Sequence, residues 1–255
     1  MTHAYLTGAR RPRVLAHRGL VTGQMAADGL VENSVAAIAA AHAVGAEYVE
    51  SDCRLTSDGA VVLFHDDTLE RVTGDPRRVS EVTLHELAEL MAPRGGLALL
   101  EDVLRDFPDT RFNIDVKTDD AAAPAGRIVS EHAERVLLTS FSDERRRIAL
   151  QSAAPARPAT SAGSSIIRRL VLSTAVGARR RAGRLLDGID ALQIPERQNG
   201  VRVLTPRLLR WAHEHGVEIH VWTVDDVPRM RRLLARGVDG IVTNRADAAL
   251  VETPA

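Results

Sequence analysis

The feature that most constrains the fold is a regular alternation of short β-branched runs with longer stretches rich in Ala, Leu and Arg. Eight runs are predicted to be strands, at residues 13–17, 47–55, 111–117, 136–140, 157–161, 191–194, 218–223 and 240–243. Strands that alternate with helices form parallel β-α units. Eight such units in 255 residues predict an α/β protein with a (β/α)8 TIM-type barrel. An open doubly wound sheet is the alternative, although no G-x-G-x-x-G motif follows the first strand.

A hairpin and an irregular segment interrupt this alternation after the second strand. Residues 56–59, Thr-Ser-Asp-Gly, have the chemistry of a tight hairpin turn, and residues 60–65 are predicted to be the returning strand. Residues 67–96 are polar and less regular, with one short helix predicted near 84–90. We therefore expect residues 1–255 to form one barrel domain that carries a small insertion at about 67–96.

Two helix starts and one basic segment are also visible. Asn33 or Ser34 is a suitable N-cap for a helix over residues 33–44, and Thr205-Pro206 is a good N-cap and first-turn pair. Residues 164–186 are strongly basic and partly amphipathic. We expect them to form a solvated helix on the barrel exterior. Contact with an anionic membrane surface is the less favoured alternative.

Composition excludes several classes of protein. The net charge of -1, from 33 basic and 34 acidic residues, offers no overall positive field for nucleic acid. Cys53 is the single cysteine, which excludes an intramolecular disulfide framework and a Cys-rich zinc site. No signal-peptide core and no bilayer-length apolar run are present, so we expect a cytoplasmic protein. The oligomeric state does not follow from the sequence.

Acidic side chains cluster where the active sites of such barrels lie, at the carboxyl ends of the strands. Glu50 and Asp52 share one face of a strand because they are two residues apart, as do Asp115 and Lys117. Three carboxylates directed into the barrel opening would repel one another. A divalent cation with oxygen ligands, Mg²⁺ or Ca²⁺, would relieve this repulsion. The alternative, pairing with Arg18 and Lys117, buries charge at a cost.

Lys117 is the only lysine among 33 basic residues. A compact ammonium differs from a guanidinium in shape and hydration, so this exception to the arginine bias suggests a chemical role. One such role is a Schiff-base nucleophile in an aldolase-like barrel. The neighbouring carboxylates disfavour that role because they would raise the pKa of the amine.

Two histidines complete the polar set, His17 at the end of the first strand and His65 at the end of the hairpin. Cations and a metal together suit a phosphorylated substrate, and imidazoles suit proton transfer near neutral pH. The set therefore predicts metal-assisted cleavage of a phosphoester. Glu32 could open a helix or reach the site, and Trp222 could pack in the core or line the substrate pocket.

From about residue 13 to 247 the sequence resembles the glycerophosphodiester phosphodiesterase family. The resemblance depends on the joint order and spacing of LAHRGL, ENSVAAIAAAHAVGAEYVESDCRLTSDGAVVLFHDDTLERVTG, FNIDVK, LLTSFSD, HVWTVDD and GIVTNRAD. It implies a (β/α)8 barrel with an insertion after the His-Asp motif. It also implies a hydrolase of lipid and glycerol metabolism that converts glycerophosphodiesters to sn-glycerol 3-phosphate and an alcohol.

The resemblance further implies roles for single residues. His17 and His65 would serve as acid and base. Glu50 and Asp52 would bind the metal with Asp115 as a third carboxylate, and Arg18 and Lys117 would contact phosphate.

Three features depart from the family pattern. Asp115 stands where many members have Glu, Asn244 stands where a Thr-Asp pair is common, and the loop between His17 and Glu32 is longer than in compact members. A lysophospholipase D-type reaction on a lipid substrate is an alternative supported only by the basic segment at 164–186. A non-catalytic phosphate-binding barrel is disfavoured because both histidines are present.

Overall fold

The computed structural model describes residues 2–253. Its strands are β1 (Arg13–His17), β2 (Tyr48–Leu55), β3 (Val61–Leu63), β4 (Arg111–Val116), β5 (Val136–Thr139), β6 (Ala159–Thr160), β7 (Ala191–Ile194), β8 (Arg197–Gln198), β9 (Val201–Arg202), β10 (Glu218–Val221) and β11 (Gly240–Thr243). Its α-helices are α1 (Gly23–Ala27), α2 (Val35–Ala43), α3 (Glu70–Thr73), α4 (Leu84–Met91), α5 (Leu100–Asp106), α6 (Asp119–Ser130), α7 (Asp143–Ser152), α8 (Ser164–Ala175), α9 (Arg179–Leu186), α10 (Pro206–Glu214), α11 (Val227–Ala235) and α12 (Ala246–Glu252).

Eight parallel strands form a nearly closed barrel, in the order β6-β5-β4-β2-β1-β11-β10-β7. The first and last strands of the chain pair directly, with Val14 opposite Ile241. Between β6 and β7 the pairing is reduced to one bridge, from Ser161 to Ala191. The predicted (β/α)8 barrel is thus confirmed, with one weakly paired seam.

Most strands lie where the sequence predicts them, and the exceptions have physical causes. β1, β7 and β11 match the predicted bounds. β6 is the largest departure, because it keeps only two residues of the predicted 157–161. Pro158 directly before it has no N–H with which to pair, so regular pairing begins only at Ala159. The N-caps agree with prediction: Ser34 accepts from the backbone N–H of Ala37, and Thr205 caps α10 in the same way.

The hairpin and the insertion pack beside the barrel. β3 returns antiparallel to β2 after a turn in which Gly59 takes a left-handed φ of +87°. The irregular segment that follows contains α3 and α4. These helices bury a separate apolar cluster against β3, made of Val62, Phe64, Leu69, Val79, Val82, Leu87 and Met91. The barrel strands beneath remain free to direct their inner faces into the central site.

Strand alternation separates the barrel interior from its helix-covered exterior. On β2, Tyr48, Glu50 and Asp52 face inward, and the residues between them face the helices. Cys53, next to Asp52, accordingly lies in the outer core, and burial raises the pKa of its thiol. Among residues 2–253, no helix is long and apolar enough to cross a membrane.

A buried ion pair closes the amino end of the barrel. The Arg13 guanidinium lies 2.9 Å from Oε1 of Glu218, and Nε2 of His220 lies 3.1 Å from its Oε2. Burial by itself would raise the pKa of Glu218. The hydrogen bonds with His220 and Arg13 outweigh that effect and lower the pKa to about 2. The charged form of Glu218 therefore stabilises the fold.

The substitution Glu218→Gln should lower the free energy of unfolding by about 3–5 kcal/mol, because it leaves Arg13 buried without a counter-charge. The loss should be full at neutral pH and should shrink below the unfolded-state pKa of about 4.3 as the pH falls toward 2. Urea unfolding of both proteins at several pH values measures the difference. Glu144→Gln in the exposed pair with Arg147 is the control and should change stability by under about 1 kcal/mol. Equal small losses in the two variants would contradict the assignment.

Candidate active site

A cavity of about 720 Å³ opens at the carboxyl ends of the barrel strands. It brings together most of the residues that the sequence singles out: His17, Arg18, Glu50, Asp52, His65, Asp115, Lys117 and Trp222. Glu32 lines a smaller neighbouring cavity of about 290 Å³. The cavity therefore lies at the end of the barrel where the strand-end residues predict a site.

Lys117 joins the carboxylates of two neighbouring strands. β2 and β4 pair with Asp52 opposite Asp115, which places the two carboxylates side by side. Nζ of Lys117 lies 2.7 Å from Oδ1 of Asp52 and 2.6 Å from Oδ2 of Asp115. Nε of Arg18 lies 3.1 Å from the other oxygen of Asp52. The charge pairing that the sequence left as the alternative to a metal is thus present.

The three carboxylates differ in how well their charge is compensated. Burial would raise the pKa of Asp52, but Lys117 and Arg18 outweigh it and lower the pKa. Burial raises the pKa of Asp115 to about 6, even though Lys117 acts in the opposite direction. The pKa of Glu50 is raised well above its usual range by burial and then by the charges of Asp52 and Asp115. Glu50 is therefore the carboxylate that most needs additional positive charge.

Two carboxylate oxygens in this cluster fit an oxygen-liganded cation. Oε2 of Glu50 and Oδ1 of Asp115 are buried without a hydrogen-bond partner. Unpaired buried acceptors are costly, and such oxygens are the ligands that Mg²⁺ and Ca²⁺ prefer. Within residues 2–253, however, no group of three or more His, Cys, Asp or Glu side chains already has the arrangement of a metal site. Lys117 occupies the space between Asp52 and Asp115 instead.

His17 is oriented by a relay of hydrogen bonds through Asn244 and Asp225 that the sequence does not predict. Nδ2 of Asn244 donates to Asp225, so its Oδ1 faces Nδ1 of His17 at 2.7 Å. An amide oxygen only accepts, which makes Nδ1 the protonated nitrogen. Nε2 is then directed toward Glu50, at 3.8 Å from Oε2. Burial lowers the pKa of His17 despite the bond with Asn244, so this ring is suited to accept a proton.

His65 is held in a similar way, by an acidic neighbour. Its Nδ1 lies 2.6 Å from Oδ1 of Asp66, and Oδ2 of Asp66 accepts from Nε of Arg71. Burial would raise the pKa of Asp66, but the bonds from Arg71 and His65 lower it to about 2. A carboxylate accepts the Nδ1 proton, which leaves Nε2 of His65 as the nitrogen for substrate.

Glu32 connects the two sides of the rim. Its Oε1 lies 2.8 Å from Arg18 and 2.6 Å from Arg71. Arg18 thereby contacts both Asp52 and Glu32, and Arg71 contacts both Glu32 and Asp66. The direct substrate contact expected of Glu32 stays a prediction. The geometry favours a positioning role behind Arg18.

The loop that carries Arg18 is strained. Arg18 and Asn33 have left-handed φ angles of 59° and 56°, which non-glycine residues seldom adopt. Arg18 donates its backbone N–H to the carbonyl of Glu50 and accepts from the N–H of Asn33. Gly19 between them has a φ of +84°, and a Cβ there would lie 2.6 Å from the backbone of Ala37.

The substitution Gly19→Ala should therefore cost about 3 kcal/mol or more of stability, from the left-handed backbone and from overpacking against α2. It should also lower kcat/KM because Arg18 would move. Gly29→Ala is the matched control: its φ is +80°, but a Cβ there meets nothing within 4 Å. That variant should cost only about 1–2 kcal/mol. Thermal unfolding and kinetics measure both, and equal effects would contradict the packing argument.

Several lining residues were missed or misplaced at the sequence level. Asn113 and Gln193 line the cavity; Asn113 is two residues before Asp115, and the same i,i+2 rule could have found it. Phe141 also lines the cavity, with its ring edge-on to Trp222 and 5.9 Å between the ring centres. The segment 164–186 forms two helices rather than one exterior helix, and α8 lines the cavity.

The barrel, with its cavity at the carboxyl ends of the strands, has the arrangement that is typical of (β/α)8 enzymes. Residues 17–248 match the model of the glycerophosphoryl diester phosphodiesterase family, and the chain belongs to that family. It is 36% identical to a Mycobacterium tuberculosis protein named "Probable glycerophosphodiester phosphodiesterase 2", over 91% of this chain and 87% of that one. It is 28% identical to a glycerophosphodiester phosphodiesterase of Caldanaerobacter subterraneus, over 91% and 93%. The crystal structure of a glycerophosphodiester phosphodiesterase from Thermotoga maritima superposes with a TM-score of 0.70 at 26% identity, over 94% and 97%.

Proposed function

We propose that the chain hydrolyses glycerophosphodiesters to sn-glycerol 3-phosphate and an alcohol, with the help of one divalent cation. One observation carries this function. His17 and His65 are each fixed through Nδ1, and both line a single cavity with the cations Arg18 and Lys117. Family membership and the names of the relatives support the same reaction.

The cation would be held by Glu50 and Asp115, whose buried oxygens Oε2 and Oδ1 are unpaired, and by Asp52. Both oxygens of Asp52 already contact a cationic side chain, so its contribution would be shared with Lys117 and Arg18. Bound Mg²⁺ or Ca²⁺ would supply positive charge to a phosphoryl oxygen.

Four side chains have separate roles in the reaction. Arg18 and Lys117 bind the phosphate oxygens and stabilise the charge that grows in the transition state. His17, whose pKa is lowered by burial, takes a proton from the attacking hydroxyl at Nε2. His65, beside the carboxylate of Asp66, gives a proton to the leaving alcohol oxygen as its bond to phosphorus breaks. The attacking hydroxyl is that of water or of the neighbouring glycerol carbon.

Chelation should abolish release of glycerol 3-phosphate from glycerophosphocholine, and added Mg²⁺ or Ca²⁺ should restore it. Glu50→Ala should lose cation binding and activity together, because it removes an unpaired buried oxygen. Calorimetric titration with each ion and a choline-release assay measure the two properties. Full turnover by enzyme shown to be metal-free would contradict the proposed cofactor.

The substitution Lys117→Arg should lower kcat/KM by at least about tenfold, because a guanidinium fork does not fit the position of a single ammonium between two carboxylates. Arg147→Lys on the exposed face of α7 is the control and should be neutral. Retention of more than half of the wild-type kcat/KM would show that only charge matters at Lys117.

A Schiff base on Lys117 is the competing chemistry. The charges of Asp115 and Asp52 raise the pKa of Lys117 even though its burial acts in the opposite direction. The amine is thus held in its protonated, non-nucleophilic form. Borohydride trapping with a carbonyl substrate should give no covalent adduct.

His17→Ala and His65→Ala should each lower the rate by about 10²–10⁴, the usual contribution of one general acid or base. The double variant should lose much less than the product of the two losses, since the histidines act in one concerted step. His85→Ala on the exposed face of α4 is the control and should be silent. Independent, multiplicative losses would separate the two histidines into different steps.

The substrate is a small-molecule phosphodiester, and the net charge of -1 does not favour nucleic acid. A place in lipid or glycerol metabolism agrees with that substrate class. The cytoplasmic location stays a prediction, as does the absence of membrane contact.

A further inference from the structure

Arg168 is a cation of the main cavity that the proposed hydrolysis does not use. It lines that cavity together with Arg18 and Lys117. Both of those side chains are held by Asp52, at 3.1 Å and 2.7 Å. Arg168, in contrast, forms no ion pair with any carboxylate among residues 2–253. Its charge is therefore available to a ligand in the cavity.

Arg168 lies in the middle of the face that α8 presents to the cavity. The lining residues of this helix are Ser164, Ile167, Arg168, Val171 and Leu172. They recur three and four residues apart, which places them on one side of a helix. Leu170, Ser173 and Thr174 are buried on the other side. The packing of α8 on the barrel therefore fixes the position from which Arg168 reaches the cavity.

The start of α8 lies beside the phosphate-binding cations. The backbone N–H of Ser164 donates to the carbonyl of Phe141 at 2.9 Å. The centre of the Phe141 ring lies 5.4 Å from Nζ of Lys117. Arg168 follows Ser164 by four residues, which is about 6 Å along the helix axis at 1.5 Å per residue. A ligand that is bound at Lys117 and extends past Phe141 would therefore approach Arg168.

Gln193 adds a second donor to the side of the cavity that β7 and α8 form. It lines the cavity, and its Nε2 is buried with no hydrogen-bond partner among residues 2–253. Its backbone N–H donates to Oγ of Ser161 at 3.1 Å, beside the bridge that joins β6 and β7. A buried donor without an acceptor is costly. Because a guanidinium and an amide N–H both donate, this side of the cavity fits a group that only accepts, such as a carboxylate or a phosphate.

We propose that Arg168 is a specificity-determining residue, which pairs with a second anionic group on the alcohol portion of the phosphodiester. This inference rests on the proposed hydrolase function and specifies its substrate class. The phosphodiester lies at Arg18 and Lys117, and the alcohol portion passes Phe141. Its carboxylate or phosphate then lies at Arg168, with Gln193 as a further donor. A cationic alcohol would instead meet a like charge. The bond that breaks is still the one between phosphorus and the alcohol oxygen, and water supplies the hydroxyl to phosphorus and the proton to the alcohol.

The test compares glycerophosphodiesters of two-carbon alcohols that differ in charge. Ethanolamine is the cationic alcohol, ethylene glycol is the neutral one, and glycolate and 2-phosphoethanol are the anionic ones. Release of sn-glycerol 3-phosphate gives one assay for all four. We expect kcat/KM for the two anionic diesters to exceed that for the ethylene glycol diester about three- to tenfold, with the ethanolamine diester lowest. The two anionic diesters together show whether a carboxylate or a phosphate is preferred.

The same series separates this proposal from the proposed function. An equal kcat/KM for all four diesters, or a preference for the ethanolamine diester, would overturn the role of Arg168 while leaving the hydrolase function intact. Failure to release sn-glycerol 3-phosphate from any of the four would instead overturn the proposed function.

Variants locate the preference on one side chain. Arg168→Gln should reduce the ratio of kcat/KM for the glycolate diester to that for the ethylene glycol diester at least about threefold, because the ion pair is lost. Arg168→Glu should reverse the preference and favour the ethanolamine diester. Arg169→Gln is the matched control, because Arg169 is the next residue of α8 and is exposed, but does not line this cavity. It also forms no ion pair among residues 2–253, and its variant should keep the wild-type ratio.

A general positive field is the competing explanation for a preference for anionic diesters, because α8 and α9 carry several arginines. Such a field attracts anions without a specific contact. In that case Arg168→Gln and Arg169→Gln would reduce the ratio equally, and Arg168→Glu would not favour the ethanolamine diester. That outcome would overturn the assignment of specificity to Arg168.

Discussion

The site depends on balancing three buried carboxylates with two cations. Lys117 compensates Asp52 and Asp115, and Arg18 compensates Asp52 again, so one negative charge is left over. That excess falls on Glu50, whose pKa is raised by burial and by its acidic neighbours. A phosphodiester brings a further negative charge. The divalent cation that we propose would offset this negative charge and keep the Glu50 carboxylate as a ligand.

The strained loop after β1 contributes to the same balance of charges, because it positions Arg18. Arg18 reaches Asp52 only because its backbone takes a left-handed conformation and Gly19 allows α2 to approach closely. Glu32 then contacts another nitrogen of the Arg18 guanidinium. The same carboxylate oxygen also contacts Arg71 in the insertion. Because Arg71 also holds Asp66, the insertion positions His65 as well. His17 is thus held by residues that follow β10 and β11, whereas His65 is held by Asp66 and Arg71.

The residues carried by single strands were the most predictable part of the site. Alternation along β2 and β4 is enough to place Glu50, Asp52 and Asp115 on one inner face. The Asn244–Asp225 relay was not predictable, because it depends on how two loops meet at the barrel rim. The inward face of α8 was missed for a similar reason: a helical pattern shows which side is apolar but not what lies opposite. The pairing of Lys117 with two carboxylates was predicted only as an alternative to a metal ion. The reason is that the charges in the sequence do not distinguish pairing with a cationic side chain from binding of a metal ion.

The weakly paired seam between β6 and β7 lies on the side of the barrel opposite the acids, the cations and the histidines. Those residues are carried by β1, β2, β4 and the hairpin beside them. Beside the seam, the cavity is lined by residues of α8, which follows β6, and of the short β8–β9 hairpin after β7. Changes of sequence in α8 and in that hairpin would therefore disturb few backbone hydrogen bonds of the barrel. The lining on that side of the cavity can change while the strands that carry the polar cluster keep their pairing.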